Sequence, residues 1–177
     1  MMILVTGGSG SGKSAYAEER ILSMGEGRRI YIATMYPFDE ESHKRIHRHR
    51  RMRAGKGFET VECYTNLEEL YLPSEGIVLL ECMSNLTANE MFQEDKREED
   101  TAEKILNGIR LIQKQVRHLV VVTNEIFSDG ENYSEETRIY QEKLGTINQE
   151  TARMADEVVE VVAGIPVFHK RNEGQMP

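Results

Sequence analysis

No stretch of the sequence approaches the roughly 18 consecutive apolar residues that a membrane-spanning helix needs. The apolar opening, Met1 to Thr6, also lacks the basic flank and cleavage site of a secretory leader. A cytoplasmic protein without a membrane span is therefore expected. Cysteine is nearly missing too: Cys63 lies in a polar stretch and Cys82 ends an apolar run, too few and too dissimilar for a disulfide framework or a zinc site. Both are expected as free thiols in a reducing compartment. Repeats, low-complexity tracts and linkers are absent, so the 177 residues, 39% of them apolar, read as one globular domain over residues 1–170. The remainder from Arg171, "RNEGQMP", reads as a frayed tail.

One segment lacks acid altogether. Residues 43 to 56, "HKRIHRHRRMRAGK", carry seven Lys and Arg, whereas the chain as a whole has a net charge of −8. That contrast marks a local site for something anionic in a surface that repels polyanions elsewhere. A nucleotide-dependent module gripping nucleic acid through this segment is conceivable, but seven charges in an acidic chain would bind weakly and lose affinity steeply with salt. No nucleic-acid partner is expected.

Short β-branched runs alternate with longer amphipathic stretches, the pattern of parallel strands joined by crossover helices. Strands are expected at Ile3 to Thr6, Arg29 to Ala33, Ile77 to Glu81, Leu119 to Thr123, Glu157 to Val162 and Pro166 to His169. The runs "IVLL" and "LVVV" are apolar on both faces, as strands covered by helices on each side should be. Helices fit at Ser14 to Met24, Glu40 to Arg53, Arg97 to Arg117 and Ser134 to Ala155. In the third, Ile105, Ile109, Ile112 and Val116 recur at close to 3.6 residues, after an acidic cluster suited to a helix N-terminus.

The strand at Ile3 runs into "GGSGSGKS", where Gly7, Gly12, Lys13 and Ser14 satisfy G-x-x-x-x-G-K-[ST] between an apolar strand and a helix-forming stretch. Glycine lets the backbone of Gly7, Gly8, Ser9, Gly10, Ser11 and Gly12 curl so that N–H groups point at phosphate oxygens, and the helix start adds partial positive charge. Lys13 is expected to reach the β and γ phosphates, and the Ser14 hydroxyl to ligate Mg²⁺. A merely flexible turn is the bland alternative. Lysine, hydroxyl and both flanks argue against it.

Such a loop works with an acidic residue at the end of a neighbouring strand, which orients the metal or its waters. "IVLLECMSN" offers Glu81 there, unless that carboxylate simply faces solvent. In the basic segment, Arg45, His49 and Arg53 follow at i, i+4 and i+8 and share a helix face. A neutral imidazole is a competent nucleophile toward phosphorus, and flanking guanidiniums would offset developing charge. Spacing alone favours the plainer reading, a solvated basic helix. His43 and His47 have zinc-ligand spacing but no third ligand near them in sequence, and read as surface residues. At this level a P-loop small-molecule kinase of another acceptor, with the arginine run as a lid, fits as well as any nucleotidyl transferase.

Taken together, "ILVTGGSGSGKS", "YIATMYPFDEE", "RIHRHRRMRAGKGFETVE", "LLECMSN", "VVTNE" and "LGTINQETARMADEVVEVVAGIPV" resemble, in order and from about Met2 to Lys170, the bifunctional adenosylcobinamide kinase / adenosylcobinamide-phosphate guanylyltransferase family of cobalamin biosynthesis. The resemblance implies a three-layer P-loop NTPase-like α/β fold, its mostly parallel central sheet flanked by helices. It implies a transferase that phosphorylates adenosylcobinamide from ATP or GTP and then transfers GMP from GTP onto that phosphate through a guanylylated histidine. Aligning "RIHRH" with the family's R-I-x-x-H puts the nucleophile at His49. Catalysis is thus expected of His49 and Lys13. Nucleotide binding is expected of Gly7 to Ser14, Thr34, Arg45, Arg53, Glu62, Glu81 and Glu125, and magnesium, directly or through water, of Ser14 and Glu81. A homotrimer is implied as well. After "TNE" the chain departs from the family's G-x-G-[IV]-V-P, keeping only Gly130.

Overall fold

In a computed structural model, which describes residues 1–92, 101–126 and 133–171, the chain forms one seven-stranded sheet of order β3-β2-β4-β5-β1-β6-β7. Its strands are β1 Met2–Thr6, β2 Arg28–Ala33, β3 Phe58–Glu62, β4 Gly76–Glu81, β5 His118–Val122, β6 Glu157–Val162 and β7 Ile165–Lys170. Five neighbouring pairs are parallel, and only the β6–β7 hairpin is antiparallel. The helices are α1 Lys13–Ser23, α2 Glu40–Arg53, α3 Met83–Met91, α4 Thr101–Gln115 and α5 Glu135–Met154. The expected mostly parallel sheet flanked by helices is what forms.

The period-2 alternation of the strands divides the apolar residues into two cores. Met2, Leu4, Ile30, Ile32, Val78, Leu80 and Val121 face α3, α4 and α5, where Leu86, Ile105, Ile109, Ile112, Leu144 and Ile147 cover them. Ile3, Val5, Tyr31, Ile77, Leu79 and Val122 face the other way, against Ala17 and Ile21 of α1. Every residue of β4 is buried, which explains its unbroken apolar reading. Burying an aliphatic side chain contributes about 1.5–3 kcal/mol, so the layer bearing α4 and α5 supplies most of the stability. The α1 face is left lighter.

Three elements were not anticipated. β3 is an edge strand whose residues are exposed or half-buried, and with only Phe58 and Val61 apolar "FETVE" gives little apolar signal. A 3-10 turn spans Leu67–Glu69. Helix α3, "MSNLTANEM", starts two residues after β4 and buries Met83, Leu86 and Thr87 without a sharp amphipathic stripe. The expected start of the third helix at Arg97, its acidic lead-in, Gly130 and the tail beyond Arg171 lie outside the described residues. Both cysteines are free, as expected, and both are buried; burial pushes the Cys63 thiol up to about 11 and raises Cys82 too, so neither is a ready thiolate.

The 3-10 turn packs so closely on α4 that a Cβ at Gly108 would stand 2.8 Å from Leu67 Cβ and 3.0 Å from the Glu68 nitrogen. In an open helix Gly→Ala gains up to about 1 kcal/mol. Here Gly108→Ala is expected to lose about 1–3 kcal/mol through overpacking, read as a lower denaturant midpoint at unchanged slope.

Candidate functional site

The carboxyl ends of β1, β2, β4 and β5 converge, and the loops leaving them build one cavity of about 490 Å³. The glycine-rich loop leaves β1 at Thr6 and enters α1 through Gly12, whose φ of 94° places it in the left-handed region open to glycine. Gly7 has no room for a side chain: a Cβ there would stand 2.6 Å from the Val161 carbonyl oxygen. Backbone bonds hold the loop from behind. Gly164 N–H, in the β6–β7 turn, donates to Ser11 O at 2.8 Å, and Glu125 N–H donates to Gly7 O at 3.1 Å. Lys13 is buried and its Nζ folds back onto Gly8 O at 3.1 Å.

Glu81, at the end of β4, is a hub. One carboxylate oxygen, Oε1, accepts from Ser14 Oγ, while Oε2 accepts from Tyr31 OH at 3.2 Å. Burial, reinforced by the Glu81 charge, raises the Tyr31 phenol well above its ordinary value, so it stays a protonated donor. The Arg53 guanidinium lies 3.3 Å over the Tyr31 ring centroid, a cation–π stack that brings the end of α2 inward. Thr34 ties the ends of β2 and β4 together, since its hydroxyl accepts from Cys82 N–H at 2.6 Å and donates to Cys82 O at 2.9 Å.

Helix α2 carries the remaining wall. Asp39 caps it: its side chain accepts from Ser42 N–H at 2.7 Å and the Ser42 hydroxyl accepts from Asp39 N–H at 2.9 Å, a reciprocal capping box. His49 turns inward, its Nδ1 buried without a hydrogen-bond partner and 3.6 Å from Glu81 Oε1. His43 and His47 are exposed, as expected of surface residues. The shared face of Arg45, His49 and Arg53 does line the cavity, but the two arginines differ. Arg45 points out to Glu41 at 2.7 Å, a screened surface pair, while Arg53 is buried.

Of the residues expected in the site, Ser9, Gly10, Gly12, Lys13 and Ser14 line the cavity from the loop. Thr34, Glu62 and Glu81 line it from the strand ends. Gly7, Gly8, Ser11 and Glu125 lie behind this wall and act on it through backbone bonds. In "TNE" it is Asn124 that lines the cavity, donating to Ser84 Oγ at 2.7 Å. The sequence reading missed Tyr31, Arg48 and Arg50. Tyr31 was legible as the one polar-tipped aromatic in the apolar part of β2, with Arg50 joined to Glu62 at 3.1 Å only across space.

Among the described residues no group of three His, Cys, Asp or Glu could hold a metal by itself. The contacting Ser14 hydroxyl and Glu81 carboxylate are hard oxygen donors, two in number. That set fits Mg²⁺, which keeps waters and phosphate oxygens as its other ligands. It does not fit zinc or a soft metal.

A family model described as "Cobinamide kinase / cobinamide phosphate guanyltransferase" matches residues 3–168. The chain is 36% identical over 182 residues to the bifunctional adenosylcobalamin biosynthesis protein CobU of Escherichia coli, covering 94% of this chain and 98% of that one. It is 35% identical, with the same coverage, to the protein of that name from Salmonella typhimurium. Among solved structures, a KaiC-like protein from Pyrococcus horikoshii superimposes with a TM-score of 0.53 at 13% identity, covering 99% of this chain and 82% of that one, a likeness of fold alone.

Proposed function

The chain belongs to the cobinamide kinase / cobinamide phosphate guanyltransferase family, and from that premise we propose that it phosphorylates the aminopropanol hydroxyl of adenosylcobinamide with ATP or GTP, then transfers GMP from GTP onto that phosphate. The single observation behind this reading is that His49 and the phosphate loop face one cavity, with Glu81 between the two.

Backbone N–H groups of the loop cradle the β and γ phosphates, and Lys13 exchanges Gly8 O for phosphate oxygen. Ser14 and Glu81 hold Mg²⁺, which when bound neutralises phosphate charge. In the transferase step the free imidazole nitrogen of His49 attacks the α-phosphorus of GTP, a P–N bond forms and the bond to pyrophosphate breaks. An oxygen of cobinamide phosphate then attacks the same phosphorus, the P–N bond breaks and His49 is regenerated. Arg48 and Arg50, on the cavity wall, carry positive charge toward the oxygens on which negative charge develops. Arg53, held on Tyr31, fixes the inward end of α2.

The same reading takes residues 1–170 as one catalytic domain of a cytoplasmic homotrimer. No described helix is long and apolar enough to cross a membrane. Val162, Ile165 and Val167, 49%, 66% and 42% exposed along the outer hairpin, form an edge of the kind that a second copy covers.

The test uses GTP labelled at the α-phosphorus, without any corrinoid. Label is expected to stay on the denatured protein, stable to alkali and lost in acid, and to leave as adenosylcobinamide-GDP when adenosylcobinamide phosphate is added. A protein that turns over cobinamide and nucleotide but never carries label would overturn the covalent route.

A further inference from the structure

Just outside the cavity mouth three aromatic rings form a cluster that no step above uses. Tyr36 and Phe38, in the loop from β2 to α2, have ring centroids 4.6 Å apart, and Tyr36 meets Tyr64 edge-on at 4.9 Å. Tyr36 is 45% and Phe38 78% exposed, although contiguous apolar surface of this sort is disfavoured in water unless something covers it. The cluster is not a floppy loop tip. Asn89 Nδ2 donates both to Thr34 O at 2.8 Å and to Tyr64 O at 2.9 Å, fastening the two loops to each other, and Tyr64 OH donates to Glu62 Oε2 at 2.9 Å. Met35 and Tyr64 belong to the cavity wall as well, so patch and cavity are continuous.

The geometry points to this cluster as the platform on which the corrin macrocycle of cobinamide rests. The inference builds on the function proposed above and adds the seat of its acceptor. A cavity of about 490 Å³ falls within the 300–1,000 Å³ that houses one small ligand, and a nucleoside triphosphate occupies it. The macrocycle, with its axial ligand, has to lie outside while its aminopropanol arm reaches in. Its rim is apolar with amide side chains. Stacked aromatic rings suit the rim, and the Glu62 carboxylate, held beside Tyr64 at the inner border, offers an acceptor to the amides. A purine base or a second copy of the chain are the other conceivable covers, and each leaves a different signature.

The experiment compares the full-length protein with the double variant Tyr36→Ala/Phe38→Ala and with Tyr36→Phe. Three quantities are measured: KM for cobinamide phosphate, self-labelling from α-labelled GTP, and oligomeric state by sedimentation. The expected result is a 10- to 100-fold rise in corrinoid KM in the double variant, Tyr36→Phe near the parent, and labelling and sedimentation unchanged. A matching fall in self-labelling would assign the patch to the guanine base, and altered sedimentation with unchanged corrinoid KM would assign it to a second copy; either overturns the inference. Should the parent prove not to carry label at all, equilibrium dialysis with cobinamide still decides. Binding weakened in the double variant supports the platform, and equal binding refutes it.

Discussion

His49→Asn is expected to abolish self-labelling from GTP and to lower GMP transfer by about 10⁴-fold or more, the scale on which losing the nucleophile of a covalent mechanism registers. That corresponds to roughly 5 kcal/mol of transition-state stabilisation. Asparagine keeps the polarity and approximate size of the ring's inner half, and the imidazole contributes no hydrogen bond to the fold through its buried Nδ1, so the variant folds. Phosphorylation of cobinamide should persist, because Lys13, Ser14 and Glu81 are untouched. Separate assay of the two products checks both halves. Label retained in His49→Asn would move the nucleophile elsewhere; loss of both reactions together would mean that His49 shapes the cavity as a whole.

The second large effect concerns a pair the chemistry never touches. Glu18, fully buried on α1, accepts from Lys56 Nζ at 2.5 Å, and its Oε1 has no partner. Lys56 follows the helix that carries His49, and α1 begins in the phosphate loop, so this contact fixes one half of the site against the other. Lys56→Met leaves the Glu18 charge buried without its counter-ion. A loss of about 3 kcal/mol is expected, the lower end of the 3–5 kcal/mol seen for broken buried pairs, because Lys56 is itself 32% exposed and water reaches the position. For a chain of this size that lowers Tm by roughly 6–12 °C. Adding Glu18→Gln removes the stranded charge and should restore part of the loss. A Lys56→Met protein melting with the parent would show that water solvates Glu18 adequately alone.

The sheet was legible because its centre is made of residues that only a doubly covered strand tolerates: "IVLL" and "LVVV" gave β4 and β5, and the glycine loop named β1. Helix α2 has the limits expected of it, Glu40–Arg53. What stayed hidden was what depends on company. β3 is a strand because β2 pairs with it; only Phe58 and Val61 of its five residues are apolar, and both are half-buried. The line from loop lysine to histidine could be drawn in sequence, yet the inward turn of Arg53 could not. Arg53 is drawn in by a ring 22 residues earlier, while Arg45 is claimed by Glu41 one turn away, which the i, i+4 rule could have revealed. The Glu18–Lys56 contact joins residues 38 apart that no local pattern connects.

The bond from Gly164 to Ser11, with that from Glu125 to Gly7, has a thermodynamic corollary. Fixing backbone dihedrals costs about 1–2 kcal/mol per residue, and for the turn from Gly7 to Gly12 that cost is met when the hairpin closes, before any triphosphate arrives. The incoming anion therefore finds its amide donors already aimed, and more of its attraction to them survives as affinity.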